Sequence, residues 1–281
     1  MQLTTTPDSP AAWCRLVSTE LRKQHEAVAP ESSGGTTGTI TPNSFARVLR
    51  AMDAIAPLSD PGSVFCDVGC GTGGPSLSAA LAYRPRAAIG FDCERLQVLN
   101  ACRGSARLQP RLEAGAAAPA PAPVYFFQHD ACALATLEPA THVYLFAAYP
   151  AIIARTAVLA ARSATVQALG IVYLRRCDVE ECGVLSPEDG DADPDADAAR
   201  LAGLRMGTRQ YGGVVVPLTP ERRARILKLS ESEAQAEAEV AGVQDLRAQT
   251  ELAVRGEGAR RMRETVASFV EEPRPKRARH N

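Results

Sequence analysis

Three aspartates in the first half of the chain follow short apolar runs, and a cluster of glycines follows the first of them. The aspartates are Asp67, Asp92 and Asp130, and the glycines are Gly69, Gly71, Gly73 and Gly74. A strand that ends in a glycine-rich turn before a helix presents backbone N–H groups and the positive end of a helix dipole to a ligand. Carboxylates at the ends of neighbouring strands accept hydrogen bonds from hydroxyl and amino groups. Together these residues predict a site for a nucleotide-like ligand.

The glycine spacing fits two templates. Gly69, Gly71 and Gly74 give G-x-G-x-x-G, which is typical of dinucleotide-binding turns but is weak evidence when it stands alone. With Asp67 and Gly73 the same segment reads D-x-G-x-G-x-G, which resembles motif I of class I S-adenosylmethionine (AdoMet) methyltransferases. Both ligand classes need an acid about 20 residues beyond the loop for the ribose. Only the methyltransferase pattern expects an acid inside the turn, because a fixed negative charge would repel a pyrophosphate.

The methyltransferase resemblance implies AdoMet as cofactor and gives each acid a role. Asp67 would order the methionine part, while Gly69, Gly71 and Gly73 would let that part lie against the backbone. Asp92 would accept hydrogen bonds from both ribose hydroxyls, and Asp130 would accept one from the adenine amino group. The structural alternatives are a helix N-cap for Asp67 and Asp130 and a strand-end turn for Asp92. A nicotinamide-dependent oxidoreductase is the alternative enzyme, since it would use the glycines without needing Asp67.

Alternating apolar runs and helical patterns predict an α/β fold around these acids. The predicted strands are 64–67, 87–92, 124–128, 141–146 and 169–174, the predicted helices are 45–55, 75–83, 95–106 and 151–164, and a hairpin is predicted from 201–206 and 212–216. Asn43 or Ser44 is the expected cap of the first of these helices. The resemblance implies a Rossmann-like, mostly parallel sheet of seven strands that finishes in an antiparallel pair. The acids and the loop after Phe146 then meet at the carboxyl ends of the strands.

The composition predicts one domain with extensions. The 281 residues carry a net charge of −1, with 22% charged residues, so no overall field attracts nucleic acid or membrane. No apolar run has the length of a membrane span, and a signal peptide pattern is missing, so we expect an intracellular protein with no membrane partner. The predicted divisions are an N-terminal extension 1–35 with a helix at 12–28, an AdoMet-binding domain 36–220, a helical extension 221–272 and a basic disordered tail 273–281.

The eight cysteines include no C-x-x-C pair, and the four histidines include no H-E-x-x-H pattern. We therefore expect reduced, mostly buried thiols and no metal site.

A second resemblance covers most of residues 36–216. Residues 38–45 resemble the Y-G-E-[IL]-x-P loop of the disruptor-of-telomeric-silencing (Dot-one) histone methyltransferases, a loop that folds over the cofactor and implies contacts from Thr39 and Thr41. Residues 90–92 stand where that family has G-V-E, and residues 143–146 where it has the strand before its N-N-F motif. Thr37 and Thr39 replace the family's Tyr and Glu, and residues 146–148 are Phe-Ala-Ala in place of N-N-F.

The Dot-one resemblance implies a chromatin regulator that methylates a lysine of histone H-three in the nucleosome. Phe146 and Tyr149 would form channel walls, because an apolar channel lowers the lysine pKa from about 10.4. The basic residues expected to contact DNA phosphates are Arg260, Arg261, Arg263 and those of the terminal tail. Residues 276–279 match a short nuclear-localisation pattern, so we expect the nucleus and otherwise the cytoplasm. A small-molecule, RNA or non-histone acceptor, or an inactive AdoMet-binding module, is the alternative, and the oligomeric state stays open.

Overall fold

The structure, a computed structural model, describes residues 7, 9–27, 40–113, 121–147, 149–186, 197–206 and 208–234. Its strands are β1 (Val64–Val68), β2 (Ala87–Asp92), β3 (Val124–Gln128), β4 (His142–Phe146), β5 (Ala168–Tyr173), β6 (Ala199–Met206) and β7 (Arg209–Pro217). They form one sheet in the order β3-β2-β1-β4-β5-β7-β6. The first five strands are parallel, while β7 is antiparallel to both β5 and β6. The predicted seven-stranded, mostly parallel Rossmann-like sheet is confirmed.

Helices cover both faces of the sheet. They are α1 (Pro10–Ala27), α2 (Pro42–Ile55), α3 (Gly74–Ala82), α4 (Arg95–Glu113), α5 (Pro150–Arg162), α6 (Cys177–Glu181) and α7 (Pro220–Ala234). The face that carries Phe65 and Tyr144 packs against α2 and α3, and α1 and α4 pack beside them. The opposite face, with Val143 and Ile171, packs against α5, α6 and α7. Because the central strands are buried on both sides, they read as continuous apolar runs in the sequence.

Helix α2 begins earlier than predicted. Its N-cap is Thr41, whose hydroxyl oxygen accepts a hydrogen bond from the Ser44 N–H at 3.4 Å, so the predicted caps Asn43 and Ser44 are wrong. Pro42 fits the first helical position because the N–H that proline lacks has no helical acceptor there. The Thr41 N–H also donates to the Arg205 carbonyl at 2.6 Å, and the Arg205 N–H donates to Ser44 Oγ at 2.9 Å. The start of α2 is thereby joined to β6, the edge strand.

The described parts of both predicted extensions pack on the sheet domain. In α1, Trp13, Val17 and Leu21 pack in one apolar cluster with residues of α3 and α4. In α7, the Arg223 guanidinium donates hydrogen bonds to carbonyls at the end of α5. The remaining predicted features at 28–39, 114–120, 187–196 and 235–281 lie outside the described residues.

All eight cysteines are free, but only Cys14, Cys66, Cys70 and Cys102 are buried. The prediction of mostly buried thiols therefore holds for half of them. In the part of the chain that the structure describes, no helix combines the length and the apolar character needed to cross a bilayer.

Candidate functional site

The glycine-rich loop between β1 and α3 has a backbone conformation that needs glycine. Gly69 and Gly71 have φ values of +70° and +52°, in the left-handed region that other residues rarely adopt. A Cβ at either position would meet nothing within 4 Å, so conformation rather than crowding requires glycine there. The Gly69 and Cys70 N–H groups both donate to the Phe91 carbonyl at 2.9 Å. The loop is thus fixed to the end of β2.

Asp92 ties the glycine loop to the start of α4. One carboxylate oxygen accepts a hydrogen bond from the Gly71 N–H at 3.0 Å, and the other accepts one from the Glu94 N–H at 2.9 Å. A carboxylate offers about four acceptor positions, two on each oxygen. Asp92 can therefore hold the loop and still accept hydrogen bonds from a ligand.

Asp67 is buried in β1 between Gly90 of β2 and Tyr144 of β4, with 1% of its surface exposed. Burial is the main cause that raises the pKa of this carboxyl to about 8; a hydrogen bond from Ser76 lowers that pKa, and the charge of Asp92 adds to the rise. The Ser76 hydroxyl donates to Asp67 Oδ2 at 3.2 Å. A cationic group of a ligand beside Asp67 would favour its ionised form.

Asp67 should make the free energy of unfolding fall as pH rises. Folding raises its pKa from 3.8 to about 8, so between these values the native state holds a proton that the unfolded state has lost. One such proton gives a slope of up to about 1.4 kcal/mol per pH unit. Asp67→Asn stays neutral in both states, so denaturant unfolding from pH 5 to pH 8 should show a flatter dependence in the variant. Equal slopes in the two proteins would mean that native Asp67 is ionised across this range.

A cavity of about 540 Å³ opens at the carboxyl ends of β1 to β4. This volume lies in the usual range for small-molecule sites. Seven of the residues predicted for cofactor or acceptor contacts line it: Asp67, Gly69, Gly71, Asp92, Asp130, Phe146 and Tyr149. Residues that the sequence placed on four different strand ends therefore meet at one site.

Of the other predicted cofactor contacts, Gly73 and Thr41 lie outside the cavity lining. Gly73 is the N-cap of α3, where a Cβ would come within 2.5 Å of the Phe126 ring, and it is not part of the cavity lining. Thr41 is engaged in capping α2, and Thr39 lies outside the described residues. Asp130 caps a single turn of 3₁₀ helix through the Cys132 N–H at 2.9 Å, which was the structural alternative, although it is exposed and lines the cavity.

Several lining residues were missed by the sequence analysis. They include Cys93, Glu94, Gln97, His129, Ile152, Met206 and Tyr211. The predicted hairpin of 201–206 and 212–216 was the sequence signal nearest to Met206 and Tyr211. The residue spacing did not show that this hairpin contacts the end of β4. The Phe146 and Tyr211 rings meet edge to face, with centroids 5.1 Å apart. We call the set of Phe146, Ala147, Tyr149, Ile152, Met206 and Tyr211 the acceptor wall.

The sheet order separates the two templates that the glycine loop left open. A dinucleotide-binding sheet of the 3-2-1-4-5-6 type continues with parallel strands. Here β7 runs antiparallel and inserts between β5 and β6. This is the class I methyltransferase fold. The antiparallel finish that the sequence resemblance implied is thus confirmed.

Solved structures of similar shape are distant in sequence. The human methyltransferase 10 domain containing protein has a TM-score of 0.48 and 10% identity, over 75% of this chain and 99% of that one. The rRNA methyltransferase aviRa from Streptomyces viridochromogenes has a TM-score of 0.46 and 16% identity, over 75% and 94% of the two chains. An RNA methyltransferase from Salinibacter ruber in complex with S-adenosyl-L-homocysteine has a TM-score of 0.39 and 16% identity, over 62% and 91%.

No protein-family model and no curated protein matches the sequence. The resemblance to the Dot-one family therefore rests on sequence motifs alone. Similarities as distant as those to the solved structures do not indicate an acceptor, and the fold assignment rests on the sheet order itself.

Proposed function

We propose that the protein is an AdoMet-dependent methyltransferase. The observation that carries the proposal is the position of three acids. Asp67, Asp92 and Asp130 lie at or just beyond the ends of β1, β2 and β3, and they line one cavity beside the loop of Gly69 and Gly71. AdoMet presents an ammonium group, two ribose hydroxyls and an adenine amino group, so its donors correspond in number and kind to these acids. When bound, AdoMet supplies a methyl group on a sulfonium for transfer to a nucleophile.

The acids have different environments that suit different donors. Buried Asp67 would be ionised by a neighbouring ammonium group, which removes the unfavourable isolated charge. Half-buried Asp92 keeps acceptor positions for ribose hydroxyls while it holds the loop. Exposed Asp130 has one oxygen engaged with Cys132 and a second oxygen for the adenine amino group.

Titration calorimetry of the purified protein with AdoMet, S-adenosylhomocysteine and NAD⁺ tests the cofactor. We expect binding of the two adenosyl ligands and none of NAD⁺. Binding of NAD⁺ alone would favour the oxidoreductase alternative.

For the acceptor we propose a nucleobase of RNA. The acceptor wall contains three aromatic rings, from Phe146, Tyr149 and Tyr211, and Tyr149 exposes 62% of its surface. Unstacked bases bind to proteins by stacking on aromatic side chains. Arg209 pairs with Met206 in the hairpin of β6 and β7, so the two side chains lie on the same face of the sheet. From that face Arg209 can contact a phosphate of the bound RNA.

The chemistry of the wall supports the same acceptor. The six residues of the wall carry no carboxylate, imidazole or amine, and the carboxylates and His129 of the same cavity lie at or just beyond the ends of β1, β2 and β3. A ring nitrogen of a base has a lone pair ready at neutral pH, whereas lysine, with a pKa near 10.4, must first lose a proton. The wall then mainly aligns the methyl donor and the acceptor, and good alignment can lower the activation free energy by about 7–11 kcal/mol.

A histone lysine is the second candidate, and the apolar character of Ala147 and Ile152 favours it, since desolvation lowers a lysine pKa. The arginines and the basic tail proposed to hold nucleosomal DNA lie outside the described residues, so nucleosome binding and nuclear import stay predictions.

Transfer of labelled methyl groups to total RNA, free histones and intact nucleosomes separates the acceptors. We expect label in RNA. Tyr149→Ala should lower the rate about 5- to 100-fold by removing a stacking surface, with AdoMet affinity unchanged. Tyr149→Phe should keep most activity, and Leu174→Ala, at an exposed apolar residue outside the cavity lining, should keep all of it. Label in nucleosomes alone, falling steeply with salt, would establish the lysine acceptor instead.

A further inference from the structure

The two segments that form the edge of the sheet beside the cavity are strongly basic. Residues 42–52 of α2 and residues 199–217 of the hairpin of β6 and β7 contain no aspartate or glutamate. They contain five arginines, which are Arg47, Arg50, Arg200, Arg205 and Arg209. The whole chain carries a net charge of −1. Positive charge is therefore concentrated at this edge, and a polyanion is the partner whose charge complements it.

Hydrogen bonds hold the start of α2 against the outer side of β6. The Arg47 guanidinium donates to the Ala202 carbonyl at 3.0 Å, and the backbone of Arg205 is bonded to Thr41 and Ser44. A guanidinium has five N–H donors, so the contact with Ala202 orients Arg47 and leaves donors for a further acceptor. Helix α2 and strand β6 thus present one continuous surface.

Two arginines of the hairpin lie next to the acceptor wall. Arg205 directly precedes Met206 in β6, and Arg209 pairs with Met206 across the hairpin. Arg205 pairs with Gln210, and successive pairs of an antiparallel ladder point to opposite faces of the sheet. Arg205 and Arg209, both exposed, therefore lie on opposite faces of the hairpin beside the wall.

The basic surface begins at the rim of the cavity and continues along β6. Met206 lines the cavity, and Ala202, which Arg47 contacts, lies four residues before it in the strand. Four residues of strand extend up to about 13 Å. Phosphates follow one another at about 3.4 Å along the axis of a stacked nucleic-acid strand, so this length is sufficient to contact several of them.

We propose that Arg47, Arg205 and Arg209, which we call the basic edge, bind phosphates of a single-stranded RNA beside the base that enters the cavity. This proposal rests on the proposed RNA acceptor and names the surface that holds the rest of the strand. A base that stacks on the acceptor wall brings its own sugar and phosphates to the cavity rim, where the basic edge begins. Arginine suits this task because its planar guanidinium donates two parallel hydrogen bonds to one phosphate.

Fluorescence anisotropy of a fluorescein-labelled single-stranded RNA, at several salt concentrations, tests the basic edge without methyl transfer. The double variant of Arg47→Gln with Arg205→Gln should weaken binding about 2- to 30-fold. The slope of log affinity against log salt concentration should become shallower by about 1.4, since each lost phosphate contact removes about 0.7. Arg47→Lys with Arg205→Lys keeps both charges and should keep the wild-type slope.

Steady-state methyl transfer gives a second measurement of the same double variant. Phosphate contacts away from the reacting atoms hold the ground state and the transition state alike. The glutamine pair should therefore raise KM for RNA and leave kcat unchanged.

The matched control is Arg86→Gln with Arg162→Gln, which removes the same charge from two exposed arginines elsewhere. Arg86 directly precedes β2 and Arg162 ends α5, so both lie at the opposite end of the sheet from the cavity. This pair should bind RNA like the wild type. Arg205→Gln alone, which leaves the Arg47 contact with Ala202 intact, should make the salt slope shallower by about 0.7.

Three outcomes would overturn the basic edge. If the glutamine pair binds RNA like the wild type, these arginines only protect an edge strand from aggregation, and the RNA acceptor stands. If the control pair weakens binding as much as the glutamine pair, net charge alone explains the effect. A wild-type protein that binds AdoMet but no single-stranded RNA would overturn the basic edge and the RNA acceptor together, and would leave the methyltransferase proposal in place.

Discussion

Asp92→Ala is expected to weaken AdoMet binding by about 100-fold or more, measured by titration calorimetry. The change removes a charged acceptor from two ribose hydroxyls, and hydrogen bonds to charged groups contribute about 1.5–3 kcal/mol each. It also releases the Gly71 and Glu94 N–H groups, so the glycine loop loses its attachment to α4. Loss of direct contacts and loss of loop geometry therefore act in the same direction.

Two further variants separate these effects. Asp92→Asn keeps an acceptor oxygen and removes the charge, so it should fall between the wild type and Asp92→Ala. Asp60→Ala removes an aspartate that accepts a hydrogen bond from the Gly62 N–H at 2.7 Å in a turn outside the cavity lining, and it should bind AdoMet normally. Unchanged affinity in Asp92→Ala would exclude Asp92 from the site.

Arg223→Ala is expected to lower the free energy of unfolding by about 3 kcal/mol, measured by denaturant unfolding. The guanidinium donates to five backbone carbonyls, those of Ala160, Ala161, Ser163, Val166 and Leu218. Those of Ala160 and Ala161 belong to the last turn of α5, where carbonyls lack the usual helical donor four residues on, although the Ala160 carbonyl also accepts the Ser163 N–H at 3.2 Å. The variant removes the one side chain that donates to all five carbonyls and so weakens the attachment of α7 to α5.

Arg223→Lys should recover only part of this loss, because an ammonium group has three donors and lacks the planar fork of a guanidinium. Lys228→Ala on the same helix changes an exposed side chain and should stay within about 0.5 kcal/mol of the wild type. If Arg223→Ala is as stable as Lys228→Ala, the carbonyl contacts of Arg223 do not stabilise the fold.

Local signals in the sequence predicted the part of the site that lies on single strand ends. Strands β1 and β2 are apolar runs that include or end in an acid, and the spacing from Asp67 to Asp92 matches one strand–helix–strand unit. The carboxyl ends of parallel strands must lie at one edge of the sheet. The predicted positions of the strands were therefore sufficient to predict that Asp67, Asp92 and Asp130 lie close together.

Residues whose placement depends on pairing between distant segments were not predictable in this way. Strand β6 changes register between Leu201 and Leu204, where Gly203 has a φ of +65°. A shift of one residue exchanges the two faces of a strand, so this irregularity determines that Met206 lines the cavity. Nothing in the local pattern specifies it. The same holds for Thr41, which the motif assigned to the cofactor and which instead caps a helix and pairs with β6.

The position of β7 has a consequence for synthesis of the protein on the ribosome. Strand β7 lies between β5 and β6, although it follows both in the chain. Until residues 209–217 have been synthesised, the edge of β5 that pairs with β7 has no partner strand. The carbonyls at the end of α5 also lack their hydrogen bonds from Arg223. Chains grow from the N-terminus, and such edges attract other strands. We therefore expect a nascent chain arrested before residue 209 to aggregate more readily than one in which β7 has paired with β5.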